Sequence, residues 1–530
     1  MTPRGRTARP RFELEERPFR LAGPPVSTHI PIAAPETDMS SSTPPPFVRI
    51  PGLKTVEEFR ALLVRLGIRL ECDDAIETAP ASPLAQPLEV EGRKIGNRWC
   101  VHPMEGWDAT ADGHPTECTF RRWQRFGQSG AKLIWGGEAM AVREDGRANP
   151  NQLLIDEAHQ ASLAALRETL VRAHRDRCGT EQGMLIGFQL THSGRFCRPR
   201  DKAKLEPRIA YRHPLLDRRF HVAGDAALLT DDELRALVPF YARAAKIAEN
   251  AGADFVDVKH CHGYLLHEIL GAHTRPGPYG GSFENRTRLT REILAAIRAE
   301  CPRLLIGVRL SAFDFVPFRP DPAKSAPGKP GPGIPEDYSA CLPYRYGFGV
   351  REDLPVEPDF NEAERFLRLL LSLGVRLVNL SAGSPYYNPH IQRPAAYPPS
   401  DGYQPPEDPL VGVARQIQAV AELKRRLPDM VVVGTGYSYL QEYLPHVAQA
   451  VLRAKKADFV GLGRMMLSYP EMPLDVFEKG ALAPRLICRT FSDCTSAPRN
   501  GLVSGCYPLD DWYKVRPEAR ALKALKRGGG

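Results

Sequence analysis

The chain has 530 residues, 42% hydrophobic and 25% charged, enough to bury a full-sized core. Its net charge of +8 is spread along the length, and the densest basic segments, near the two ends, lack interleaved aromatics, which argues against nucleic acid as a partner. No apolar run reaches the length of a membrane span, no apolar signal core follows the Arg-rich start, and the 11 cysteines are mostly isolated, which together suit a cytoplasmic protein.

Residues 1–50 are rich in Pro, Arg, Ser and Thr and predict a disordered or surface-draped extension. Residues 51–97 read as a lead-in with one helix over 55–67: Thr55 caps it, Glu57 and Glu58 fill the first turn, and Phe59, Leu62, Leu63 and Leu66 share a face. From 98 to 480 the pattern becomes regular. Short apolar strands are predicted at 99–102, 132–136, 184–190, 255–259, 304–310, 376–380, 430–434 and 458–463. Amphipathic helices are predicted between them at 116–126, 151–173, 230–250, 282–300, 361–373, 408–427 and 440–453, with a last turn near 474–479. Strand–helix alternation of this count predicts an α/β fold, a (β/α)8 TIM barrel, over an open doubly wound sheet, because Val101-His-Pro-Met-Glu105 is no glycine-rich first turn. Long insertions follow strand three (196–227) and strand five (315–358), on the face where such barrels keep their site. Residues 481–530 form a Cys-containing tail.

Chemistry gathers at strand ends. In Phe255-Val-Asp-Val-Lys-His-Cys-His-Gly-Tyr264, Val256 and Val258 fall on one parity, Asp257 and Lys259 on the other, and Lys259, His260, His262 and Tyr264 can all carry or hold protons. Strand parity also turns Gln189 and Arg309 inward, where they need a ligand or a partner such as Asp257. Gly434-Thr-Gly436 and Gly461-Leu-Gly-Arg464 end strands seven and eight, the usual phosphate cradle of a barrel, with Arg464 as a charged fork. Cys261, His262 and His267 match no common zinc spacing, so no metal is expected.

The blocks Gln189-Leu-Thr-His-Ser-Gly-Arg195, His262-Gly-Tyr264 with Leu-Leu-His-Glu after it, and Tyr279-Gly-Gly-Ser-Phe-Glu-Asn-Arg286 resemble the signatures of the Old Yellow Enzyme family of FMN-dependent oxidoreductases. His102-Pro-Met104 and the two glycine loops match in the same order. The resemblance implies FMN over the barrel, with Pro103, Met104, Glu105, Ala139, Gln189 and Arg309 around its ring system and Gly436, Gly463 and Arg464 on its phosphate. It implies NAD(P)H as electron donor and an activated C=C of a small molecule as acceptor, with Tyr264 as proton donor and His262 and Lys259 holding the substrate carbonyl. The sequence leaves a homo-oligomer open.

Three departures stand out. Lys259 occupies the position of a usual histidine, with His260 out of register; Glu105 stands where relatives carry a small thiol or hydroxyl; Trp107 replaces a substrate-contacting tyrosine. A lone buried charge at either of the first two positions is costly, so Glu105 and Lys259 are expected to pair. The tail resembles the iron–sulfur segment of the dienoyl-CoA reductase branch, but only Cys494 and Cys506 keep its spacing, with Ile487 and Thr490 at the other two ligand positions, so no cluster is expected. Two alternatives stay open: a flavin dehydrogenase or demethylase oxidising an amine or alcohol, and a non-flavin barrel lyase using Lys259 as a Schiff base.

Overall fold

A computed structural model describes residues 47–528; the predicted extension at 1–50 lies almost wholly outside the described residues. Eight parallel strands close a ring: β1 (Trp99–Val101), β2 (Leu133–Ile134), β3 (Leu185–Thr191), β4 (Phe255–Val258), β5 (Leu305–Ser311), β6 (Leu377–Ser381), β7 (Val431–Gly434) and β8 (Phe459–Leu462). Val460 registers with Trp99 to close β8 on β1, and Leu133 with Leu185 to join β2 to β3. Period-two alternation sends Cys100, Leu133, Leu185, Phe255, Leu377, Val433 and Phe459 inward, where they pack with Trp135 as one small core. An antiparallel hairpin, Leu88–Val90 with Arg93–Ile95, adds Val90 and Ile95 to that core and plugs the barrel's amino end. The lead-in segment therefore belongs to the barrel.

The helix layer comprises α1 (Glu117–Gly127), α2 (Gln160–Cys178), α3 (Val238–Asn250), α4 (Arg288–Glu300), α5 (Phe360–Ser372), α6 (Pro409–Arg426), α7 (Leu444–Arg453) and α8 (Met472–Lys479). Four predicted helices differ in extent, the one at 440–453 only in starting at Leu444 after a 3-10 turn. The span 230–250 breaks after Asp231–Arg235, where Thr230 and Glu233 form a capping box, and restarts with Pro239 in the first turn of α3. The span 282–300 divides into Phe283–Arg286 and α4. The helix predicted from residue 151 begins only at Gln160, after Asp156 caps a short turn. A further strand, Ala139–Ala141, extends the sheet along β3 beyond a bend at Gly136 and Gly137; three residues give no readable alternation.

Both insertions lie at the carboxyl face. The one after β5 carries a small antiparallel pair, Phe318–Pro320 with Gly333–Pro335, and Phe318 N–H donates to Tyr387 O in the loop after β6 at 2.8 Å. The C-terminal segment is not a free tail. Helices Asp493–Arg499, Asp511–Lys514 and Pro517–Gly528 return to the barrel, where Arg121 of α1 pairs with Asp510 at 2.8 Å and lies 4.6 Å over the Trp512 ring. Among the described residues no helix is long and apolar enough to cross a membrane.

Candidate active site

One pocket opens at the carboxyl ends of the strands. The β1 loop (His102, Pro103, Met104, Glu105, Trp107), Gln189, Lys259, His262, Tyr264 and Arg309 line one part of it. Thr435, Gly436, Ser438, Gly461, Gly463 and Arg464 line another. Every sequence-predicted site residue is thus brought together except Ala139. That residue is buried behind the wall, its carbonyl accepting from Gln152 Nε2 at 3.0 Å.

Asp257 organises the floor. Its carboxylate accepts from Gln189 Nε2 at 2.5 Å, Trp135 Nε1 at 2.8 Å and the Arg309 backbone N–H at 2.6 Å. Burial pushes its pKa up to about 6 against those three donors. One Gln189 amide N–H is thereby spent within the barrel, and its carbonyl end remains for a ligand. The Arg309 side chain is buried with Nε unpartnered.

Above this floor Lys259, inward by strand parity, meets Glu105 across the pocket, Nζ to Oε1 at 2.6 Å. The pairing expected from the two departures is present. Glu105 Oε2 also accepts from Trp107 Nε1 at 2.9 Å and from Tyr264 Oη at 3.3 Å, while Lys259 Nζ sits 3.9 Å over the Tyr264 ring. Tyr264 Oη lies 2.9 Å from Tyr386 Oη, and Phe196 of the first insertion stacks on Tyr386 with centroids 3.9 Å apart. Burial, then the Glu105 carboxylate, hold the Tyr264 phenol well above its usual pKa, so it stays protonated.

His262 adopts φ +68°, a left-handed conformation that is costly for a histidine and turns its ring into the pocket. Burial, then Arg309 and Lys259, keep the imidazole neutral. Its backbone is fixed by Ser311 Oγ, which accepts from His262 N–H at 3.0 Å, and by Ser384 Oγ, which donates to its carbonyl at 2.9 Å. Gln392 Nε2 and Ser381 Oγ both lie 3.3 Å from His262 Nε2. With the Gln392 amide donating there, the ring's own proton sits on Nδ1. His260 points the other way, Nε2 to Thr290 Oγ1 at 2.8 Å in the helix layer, as its parity requires.

Several residues were not legible as functional from sequence. Arg122 of α1 bridges the buried carboxylates of Asp108 and Glu138, and Glu138 accepts from Gly106 N–H at 3.1 Å, which clamps the loop carrying Glu105 and Trp107. Tyr386, Gln392, Arg393, Thr495 and Arg499 also line the pocket, from the β6 loop and the C-terminal segment. An amphipathic reading of α1 could have found Arg122. The others lie on irregular chain with no periodic signal.

Fold and pocket define the class: a (β/α)8 barrel with a polar pocket on its carboxyl face. Residues 83–322 match the NADH:flavin oxidoreductase / NADH oxidase family. An NADH:flavin oxidoreductase of Gibberella zeae is 25% identical over 408 residues, 74% of this chain and 85% of that protein. An NADPH dehydrogenase of Bacillus subtilis is 30% identical over 241 residues, 44% of this chain and 65% of that protein. Among solved structures, 2-naphthoyl-CoA reductase superposes with a TM-score of 0.56 at 16% identity, and the chain spans 58% of its length. An old yellow enzyme homologue from Zymomonas mobilis gives 0.50 at 21% identity, covering 76% of this chain and 95% of that one. The fold is thus the (β/α)8 barrel of those structures, and residues 83–322 are similar to Old Yellow Enzyme-family NADH:flavin oxidoreductases and NADPH dehydrogenases.

Proposed function

We propose that the protein binds FMN and reduces the activated C=C of a small enone- or enoyl-type substrate. The observation that carries this reading is the Tyr264 phenol, kept protonated in the pocket between Glu105 and Tyr386. The residues fit the cofactor. Arg309 Nε and Arg464 Nη1 are buried donors without partners, a costly arrangement that a pyrimidine carbonyl and a phosphate relieve. Gly436, at φ +93°, caps a helical turn and lines the pocket with Ser438, and a side chain at Gly463 would close on Met104.

Held by Arg309, Gly436, Gly463 and Arg464, FMN would supply hydride-transfer chemistry for the substrate's β-carbon, with NAD(P)H as its reductant. The chain's own groups do the rest. Lys259 spends one N–H on Glu105 and faces another toward the Tyr264 ring, leaving the third for a carbonyl oxygen beside the His262 Nδ1–H. Those two donors steady the negative charge that develops on that oxygen, and Tyr264 Oη gives its proton to the α-carbon. Tyr386 is placed to return a proton to Tyr264. The ion pair counts against the lyase reading, because a Schiff-base lysine must present a free, neutral amine.

Anaerobic bleaching of the flavin absorbance by NADH or NADPH, followed by reoxidation with an enone, tests the proposal. Tyr264→Phe should leave bleaching intact and slow reoxidation about 100-fold or more. Protein that binds no flavin, reoxidation at full rate in the variant, or turnover of an amine or alcohol instead of an enone would overturn it.

A further inference from the structure

Arg393, just after the short helix Pro389–Gln392 that follows β6, lines the same pocket as Arg464, Gly436 and Ser438, although no motif places it there. Its Nη1 donates to Thr495 Oγ1 of the C-terminal helix Asp493–Arg499, while Nε and Nη2 are buried with no partner. Arg464 is in a matching state: Nη2 donates to Pro394 O at 2.8 Å, one residue from Arg393, and Nη1 is buried and unpartnered. Two guanidinium groups therefore converge on one stretch of chain with three nitrogens unpartnered between them.

The surroundings do not supply the missing charge. Burial, then Arg499 and Arg464, hold the Arg393 guanidinium below its usual range. Of the acidic groups bearing on it, Asp401 is already paired with Arg499. Burying like charges side by side costs free energy that an apoprotein has no reason to bear unless an anion normally lies between them. Glycine loops whose N–H groups suit a phosphate end on the same part of the pocket.

We propose that Arg393 is a second guanidinium on the cofactor's phosphate, held in place by Thr495, so that the C-terminal segment completes the site. This rests on the flavin reading above. Two arginines match a phosphate monoester dianion: Arg393 offers its Nε and Nη2 edge, and Arg464 offers Nη1. The same arrangement makes the segment 493–499 part of the cofactor's enclosure: Cys494, Thr495, Pro498 and Arg499 line the pocket beside Arg393.

The test titrates flavin-stripped full-length protein with FMN and, separately, with riboflavin, following the flavin fluorescence. Arg393→Gln should weaken FMN about 10- to 100-fold, the worth of one charge-assisted contact, and leave riboflavin unchanged. Thr495→Val should weaken FMN by a smaller factor and also spare riboflavin. Arg393→Lys, which keeps the charge, should recover part of the FMN affinity. Because the substitution relieves like-charge repulsion, the flavin-free Arg393→Gln protein should melt higher than wild type; a merely structural arginine would lower Tm. Unchanged FMN affinity in Arg393→Gln, with a raised KM for substrate, assigns the group to a substrate anion and overturns the proposal. An equal loss for FMN and riboflavin overturns it as well. Wild-type protein that binds neither flavin would sink the flavin reading itself, an outcome separate from these.

Discussion

Neutralising Glu105 is the sharpest probe of the pocket. The Lys259 side chain is 2% exposed and that of Glu105 18%, with Nζ and Oε1 at 2.6 Å. At an effective dielectric near 20 the gross attraction is about 6 kcal/mol, most of it offset by desolvation. Losing one partner of a fully buried pair costs about 3–5 kcal/mol, because the other charge is stranded. Glu105→Gln strands Lys259, but water reaches the glutamate side, so about 2–3 kcal/mol is expected. Lys259→Met should cost less, about 1–2 kcal/mol, since Glu105 keeps water and its bonds from Trp107 and Tyr264. In the double variant nothing is stranded, and its loss should match that of Lys259→Met, a coupling of about 2–3 kcal/mol. Urea unfolding of the flavin-free proteins, compared at equal m, measures all four corners. Single costs that add within about 0.5 kcal/mol would refute the pairing.

Close packing beneath the β8 loop makes a second prediction. A Cβ at Gly461 would stand 2.1 Å from the His102 ring, itself held by Asn379, so Gly461→Ala should cost about 2–3 kcal/mol in thermal unfolding; at Gly463 the neighbour is the flexible Met104 Sδ at 3.2 Å, and Gly463→Ala should cost under about 1 kcal/mol. The third concerns pH. Burial lowers the His260 pKa to about 4, so between there and its unfolded value near 6.5 only the unfolded chain takes up a proton, and stability falls as pH drops. That one group withdraws about 2 kcal/mol between pH 7.5 and pH 5. The stability difference between wild type and His260→Gln should shift by that amount over this interval, and a pH-independent difference would show His260 titrating normally.

All eight strands were legible because buried parallel strands write short apolar runs between helices of a different period. Parity did more than find them: it placed Asp257, Lys259, Gln189 and Arg309 inside the barrel and turned His260 out, as observed. Helix ends were less legible. A proline inside an apolar periodic stretch can extend a helix or start a new one, and Pro239 starts one. The pocket's far wall escaped notice for a different reason. Tyr386, Arg393 and Thr495 reach the site from irregular loops and from a segment more than 100 residues beyond β6, brought in by tertiary packing that leaves no local pattern.

The two departures at Glu105 and Lys259 are physically one. A lysine at that strand end, buried and alone, would shed its charge or destabilise the barrel. A lone carboxylate in the same pocket would oppose the negative charge that Tyr264 and Lys259 are placed to receive. Joined at 2.6 Å, they form a local dipole with its positive end over Tyr264 and beside His262. The pocket's uncompensated positive charge then resides in Arg309, Arg464 and Arg393, each with an unspent N–H. In the proposed reaction the first of these sets the electrostatics of the flavin ring, the other two hold its phosphate, and the Lys259–Glu105 pair governs the substrate alone. Substrate preference should therefore respond to changes in that pair while flavin affinity does not, a separation that follows from where the charges sit.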